Sequence, residues 1–105
     1  MSGDEHVLAE ISVEPAASGE EHNHVVREAI EALSGLDLVV TVGAMSTTVE
    51  GPLDDVLAAV ARAHRSAHTR ANRVITTVRI ESRQGGLHLR DRESELRQAS
   101  GLLRP

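Results

Sequence analysis

The spacing of apolar residues along the chain switches between a period of two and a period near four. Alternation or a dense β-branched run predicts four strands, at 7–13, 36–42, 45–50 and 74–81. Apolar residues three or four positions apart predict two helices, at 21–34 and 53–71. Pro15 and Pro52 stand at element boundaries, where proline is tolerated. The resulting order, β-α-β-β-α-β, is the strongest constraint on the fold.

This order is typical of the ferredoxin-like fold, a split β-α-β arrangement. We therefore predict an α+β sandwich in which a four-stranded antiparallel sheet, in the order 4-1-3-2, carries two helices on one face. The domain is expected to span 7–83, after a disordered lead at 1–6. Residues 84–105 are predicted to form a turn, a short charged helix at 91–99 and a tail.

The core has to be built without aromatic side chains, because the 105 residues include no Phe, Tyr or Trp. Aliphatic residues on one side of each element are predicted to fill it. Val26, Ile30 and Leu33 mark the buried stripe of the first helix, and Val56 and Val60 mark that of the second. A chain this short buries a modest core and gains stability by burying further surface against copies of itself. A homodimer or homotetramer is expected.

Composition argues against several classes of function. The net charge of −5 and the lack of aromatics disfavour nucleic-acid binding. Without cysteine there are no disulfides or thiolate sites, and no apolar run is long enough to span a membrane. No nucleophile-elbow, phosphate-loop or dinucleotide motif occurs, so no catalytic residues and no cofactor are predicted. A cytoplasmic location is expected.

Two helices of this fold cover one face of the sheet and leave the other face open. The side of the first strand that carries Val7, Ala9 and Ile11 is the more apolar, and we assign it to the helices. The open face then mixes aliphatic, hydroxyl and charged groups, which is unusual for a face that only meets water. It is predicted to be covered by another subunit and to bind a small molecule. Its candidate ligand-binding residues are Leu8, Glu10, Ser12, Val39, Thr41, Ser46, Thr48, Glu50, Thr77 and Arg79.

The histidines do not predict a metal site. His64 and His68 have the i, i+4 spacing of two metal ligands, but Arg65 occupies the position where a zinc-protease motif has glutamate. We interpret them as ordinary helix histidines. His22 and His24 are expected to cap or pair with the acidic residues at the start of the first helix.

Four segments resemble the thiamine-binding protein family: VLAEISVEP (7–15), MSTTVEG (45–51), LDDVLAAVARAH (53–64) and NRVITTVRIESR (72–83). The resemblance implies a ferredoxin-like domain that forms dimers and tetramers through its sheets and binds thiamine or its hydroxymethylpyrimidine moiety, without being an enzyme.

The resemblance also implies roles for matched positions on the open face. It implies that Glu10 or Glu50 meets the aminopyrimidine or balances the cationic ring, that Thr48 and Thr77 orient it, and that Arg79 holds a carboxylate. Because no aromatic residue can stack on the ligand, its rings would lie between aliphatic side chains, with Leu8, Val39 and Met45 as candidates.

Two alternatives remain at this level. The chain could be a regulatory or structural oligomerisation module without a ligand, in which Glu10 and Arg79 form only a salt bridge between strands. It could also be an enzyme on the same fold. However, the 15–19 loop lacks the arginine that an acylphosphatase needs after its first strand, and an RNA-binding variant needs aromatics on the sheet.

Overall fold

The structure, a computed structural model, describes residues 5–16, 19–34 and 37–100. The predicted order of elements is confirmed, with a third helix after the last strand. The elements are β1 (His6–Pro15), α1 (Gly19–Glu31), β2 (Val39–Val42), β3 (Thr47–Pro52), α2 (Leu53–His68), β4 (Val74–Glu81) and α3 (Leu89–Ala99). In this part of the chain no helix is long and apolar enough to cross a bilayer.

The four strands form one antiparallel sheet in the order β2-β3-β1-β4, which confirms the predicted topology and the α+β ferredoxin-like fold. The long first strand lies at the centre and pairs with β3 on one side and β4 on the other. Ala9 lies opposite Val49 of β3 and Ile80 of β4. Since directly opposite residues share a face, this register fixes which side chains point towards the helices.

The core lies between the sheet and the two helices α1 and α2. Val7, Ala9 and Ile11 alternate along β1 and are at most 2% exposed, as the pattern predicted. The buried residues of α2 are small apart from Val56, which lets the helix lie close to the sheet; they are Val56, Ala59, Ala63 and Ala67. Val60, which was predicted to be buried in α2, is only partly buried and packs against this cluster.

The predicted buried stripe at α1 is confirmed at Leu33 but was wrong by one position at Val26 and Ile30. The buried residues of this helix are Val25 and Ala29, and Leu33 is buried just beyond its end. Val26 and Ile30 are half-buried and line a groove on the flank of the helix instead. At one of the two positions the prediction had chosen the larger Ile30 in place of the small, buried Ala29.

The edges of the elements differ from the predicted ones by a few residues. β2 is short, and β3 begins at Thr47 and continues to Pro52. Gly51 is required within β3, because a Cβ at this position would lie 2.9 Å from the carbonyl oxygen of Asp37 and 2.7 Å from a methyl carbon of Leu38. The predicted helix stop at Gly35 and the strand start at Leu36 lie outside the described residues.

Residues just outside both ends of the predicted domain, 7–83, contribute to the fold. β1 starts at His6, whose carbonyl oxygen accepts a hydrogen bond from the Leu87 backbone N–H at 2.9 Å. The Leu87 side chain is completely buried. The domain therefore extends through the 84–88 turn into α3, while residues 1–4 of the predicted lead and 101–105 of the predicted tail lie outside the described part.

Candidate functional site

The candidate site is the sheet face opposite α1 and α2. The register forms one row across the sheet from Thr41, Thr48, Glu10 and Arg79, and a neighbouring row from Val39, Glu50 and Leu8. Ser12 and Thr77 form a third pair. Ser46 lies in the β2–β3 turn and reaches Glu10 through its hydroxyl. The structure thus brings all ten predicted residues to one face, where their binding role stays a prediction.

Glu10 lies at the centre of this face, between the two neighbouring strands. Its carboxylate accepts a hydrogen bond from the Ser46 hydroxyl at 2.8 Å and a longer one from the Arg79 guanidinium at 3.4 Å. The Glu10 side chain is 49% exposed and that of Arg79 is 82% exposed. An ion pair this open to water contributes at most about 1 kcal/mol. The carboxylate is therefore held in position while remaining accessible to a ligand.

A pocket of about 240 Å³ opens beside Glu10. Its walls combine Leu8, Glu10, Thr48 and Arg79 from the sheet with Leu89 from the start of α3. Leu89 was not among the site residues predicted from the sequence. The available signal was a pair of leucines, Leu87 and Leu89, immediately before an otherwise charged segment.

Glu50, the second carboxylate of the face, has a different environment. Its side chain is only 12% exposed. One of its oxygens accepts a hydrogen bond from the Leu89 backbone N–H at 3.2 Å and lies 3.6 Å from His88 Nδ1. The same oxygen lies 3.9 Å from His6 Nε2. The start of α3 therefore covers Glu50, whereas Glu10 faces the open pocket.

Large apolar side chains are exposed on the open face. Val39 is 56% exposed and Ile75 is 42% exposed. Met45, predicted to enclose a ligand ring, is 90% exposed in the turn between β2 and β3. It lines the groove beside Val26 and Ile30 and does not line the pocket at Glu10. The hydrogen bond from the Gly43 N–H to the Ser46 carbonyl closes the turn in which Met45 lies.

The helix histidines have protein partners. His64 Nδ1 lies 2.7 Å from the Thr76 hydroxyl, and His68 Nδ1 lies 3.1 Å from the Ala71 carbonyl oxygen. His24 pairs with Glu28 one turn further along α1, at 3.1 Å, where the sequence had predicted a partner at the start of the helix.

The structure also brings together a group that sequence analysis missed. His6, Glu50 and His88 each offer one metal-ligand atom, and these atoms lie within 4.8 Å of one another. They come from β1, β3 and the residue before α3, so no local spacing signals them. The sequence predicted no metal ligands, and this cluster is the candidate in the described residues.

The fold and the site together define the class of protein. It is a small α+β domain with one open sheet face, on which a carboxylate, hydroxyls and an arginine surround a small pocket. The sequence profile of the family described as "Thiamine-binding protein" matches residues 9–96. The chain belongs to this family, as the resemblance of its segments had indicated.

Individual relatives agree with this membership. A protein of Methanocaldococcus jannaschii from an uncharacterised family is 36% identical over 78 residues, which cover 74% of this chain and 78% of that protein. A crystal structure from the same organism, described as a hypothetical protein, has a TM-score of 0.77 at 32% identity and covers 87% of this chain and 94% of its own.

A crystal structure from Thermotoga maritima matches with a TM-score of 0.78 at 28% identity, covering 88% of this chain and 99% of that one. That protein is assigned, provisionally, to thiamine biosynthesis or salvage. A domain of unknown function from Bacillus cereus matches with a TM-score of 0.77 at 33% identity, covering 87% and 89% of the two chains. The family and this neighbour together point to a thiamine-related role.

Proposed function

We propose that this protein binds thiamine or its hydroxymethylpyrimidine moiety on the open sheet face, at an interface between copies of the chain. The observation that carries the proposal is the Glu10 carboxylate, held by Ser46 and Arg79 and half-exposed at the edge of the pocket. Membership of the thiamine-binding family supports this choice of ligand.

The chemistry of the pocket suits an aminopyrimidine. Such a ring has an exocyclic amine that donates hydrogen bonds and ring nitrogens that accept them. The Glu10 carboxylate only accepts, the Thr48 hydroxyl both donates and accepts, and the Arg79 guanidinium only donates. A positively charged thiazolium would gain from the carboxylate and from the net charge of −5.

The size and openness of the pocket support completion by a second copy. Its volume of about 240 Å³ lies below the roughly 300–1,000 Å³ of sites that enclose a drug-sized ligand. Val39 and Ile75 leave apolar surface exposed on the same face, and its burial would stabilise an assembly. We propose a homodimer or homotetramer formed through the sheets, in which the neighbouring face closes the pocket.

Aliphatic side chains would have to replace aromatic stacking. Leu8 and Leu89 both line the pocket and offer aliphatic contacts to a ring. We infer that the chain is a binding protein without a catalytic step or a cofactor of its own, and that it acts in the cytoplasm. In support, the residues that line this pocket include neither histidine nor serine, so a serine–histidine pair is lacking there.

Titration calorimetry with thiamine and with hydroxymethylpyrimidine tests the proposal. We expect saturable binding of at least one of them and a clear loss of affinity in Glu10→Gln, which keeps the size of the side chain and removes its charge. Glu21→Gln, at an exposed position of α1, is the matched control and should bind the ligand normally. Absence of heat at millimolar ligand would refute the proposal.

The chain offers an independent optical readout. Without Trp, Tyr or Phe it contributes almost no near-ultraviolet absorbance, so a bound pyrimidine would dominate the spectrum of the purified protein.

The alternative function, an oligomerisation module without a ligand, is favoured by the exposed Val39 and Ile75. In that case Glu10→Ala would alter the oligomer measured by light scattering while neither variant nor parent binds the vitamin.

A further inference from the structure

A cluster of two histidines and one carboxylate lies beside the pocket, where three parts of the chain meet. His6 opens β1, Glu50 lies near the end of β3, and His88 immediately precedes α3. The two imidazole rings stack with their centres 3.8 Å apart. All three side chains are partly buried, with exposures of 25% for His6, 12% for Glu50 and 42% for His88.

The protonation of the His6 ring follows from its partner. Nδ1 lies 2.8 Å from the carbonyl oxygen of Leu87. A carbonyl oxygen only accepts hydrogen bonds, so Nδ1 must carry a proton and donate it. In the neutral ring this leaves the lone pair on Nε2, the nitrogen that faces Glu50 at 3.9 Å. Metal-binding histidines are held in this way, with the second nitrogen donating to a backbone carbonyl.

The cluster is complementary to a cation. His6 Nε2 carries a lone pair, and His88 Nδ1 carries one when the His88 proton is on Nε2; these two nitrogens approach the same carboxylate oxygen, at 3.9 Å and 3.6 Å. Three acceptors that converge in this way repel one another unless a positive group lies between them. That group is either a proton on a ring or a metal ion shared by all three.

We propose that His6, Glu50 and His88 bind a divalent transition metal ion of the zinc type. Two imidazole nitrogens and one carboxylate oxygen form a donor set that suits zinc, cobalt or nickel, whereas magnesium and calcium prefer oxygen alone. Three protein ligands leave a coordination position for water or another group.

The three ligand atoms have to move closer together to share one ion. Zinc bonds of about 2.0–2.2 Å to nitrogen and oxygen imply roughly 3.4 Å between ligand atoms in a tetrahedron. The Glu50 oxygen lies 3.6 Å from His88 Nδ1 and 3.9 Å from His6 Nε2, and all three ligand atoms lie within 4.8 Å of one another. The stacked rings have to tilt about their side-chain bonds so that both lone pairs point at the ion. His88, the most exposed of the three, has the room to do so.

The metal would connect the start of β1, the end of β3 and the beginning of α3. These are the contacts that place Leu89 on the wall of the pocket. The ion would thus fix the C-terminal segment against the open sheet face. This proposal does not depend on the identity of the vitamin or on its binding.

The test is a titration of tag-free, metal-stripped protein with Zn²⁺ and Co²⁺. Calorimetry should give one ion per chain, and Co²⁺ should develop the visible absorption bands of a low-symmetry complex. Removing a direct ligand should weaken binding by at least the roughly 10–100-fold that is typical for loss of a supporting contact. His6→Gln, Glu50→Gln and His88→Gln should each show this loss.

Two control variants separate this cluster from the other histidines. His24→Gln, at a partly exposed position of α1, should bind Zn²⁺ normally. His68→Gln, which disrupts the i, i+4 pair on α2, should also bind normally. Circular dichroism establishes that each variant is folded; His88→Gln is decisive if His6→Gln unfolds, because His88 is the more exposed. Absence of stoichiometric binding, unchanged binding in His88→Gln, or loss of binding in His68→Gln would overturn the proposal.

Discussion

Leu87→Ala tests whether the C-terminal segment is an integral part of the domain. The Leu87 side chain is completely buried. The Leu87 N–H donates to the His6 carbonyl oxygen at 2.9 Å, and the Leu87 carbonyl oxygen accepts from His6 Nδ1 at 2.8 Å. The substitution removes three carbon atoms, which is worth about 2.4 kcal/mol of transfer free energy at roughly 0.8 kcal/mol per carbon. The cavity left behind raises the usual cost to about 2–5 kcal/mol.

The expected loss is large for a domain of this size. At about 4–8 °C per kcal/mol, the midpoint of thermal unfolding should fall by at least about 8 °C. Urea denaturation followed by far-ultraviolet circular dichroism measures the free energy of unfolding directly, and the lack of tryptophan makes fluorescence unsuitable. Leu96→Ala in α3 is the matched control; its side chain is 51% exposed, and it should cost less than about 0.5 kcal/mol. A loss below about 1 kcal/mol for Leu87→Ala would refute the assignment of this segment to the folded core.

Three further predictions follow from particular contacts. Gly51→Ala should cost about 1–3 kcal/mol in urea denaturation, because the added methyl meets the backbone at Asp37; an unchanged midpoint would mean that the 37–38 segment moves freely. The pKa of Glu95 is lowered, first by the hydrogen bond from Arg83, so its small stabilising effect is present above the ordinary pKa of glutamate and lost as the pH falls through the lowered value. Glu95→Gln should therefore flatten the acid side of a stability–pH profile, and an unaltered profile would contradict this. Glu10→Gln should weaken vitamin binding without affecting Zn²⁺ binding, and Glu50→Gln should weaken Zn²⁺ binding; calorimetry with both ligands would contradict the separation if Glu10→Gln lost the metal.

The fold was predictable because the strands repeat their pattern cleanly. β1 alternates without interruption, and β4 spans the same eight residues in the structure as in the prediction. The residues of the open face were predictable from that alternation. Once one side of β1 is assigned to the helices, its other side, and the paired residues of the neighbouring strands, belong to the open face. Nine of the ten candidate residues therefore reach the same face through the strands, and Ser46 reaches it from the β2–β3 turn.

Small residues and non-local contacts limited the rest of the prediction. In the stripe of α1, Ile30 was chosen because Ala29 carries little weight in a hydrophobic pattern although it is fully buried. Met45 was proposed beside the ligand as a replacement for an aromatic ring, and the pattern did not show that 43–46 forms a closed turn. The cluster of His6, Glu50 and His88 was invisible because its members are far apart in sequence, and only folding brings them together.

The two glutamates of the open face differ in how accessible they are. From the sequence alone either Glu10 or Glu50 could have met a ligand, since both lie on the same side of adjacent strands. Glu50 is covered by the start of α3 and accepts the Leu89 N–H, so a soluble ligand would have to displace that segment to reach it. Glu10 is reached from the pocket without such a movement. The covered carboxylate therefore suits a permanent partner such as a metal ion, and the open one suits a partner that arrives and leaves.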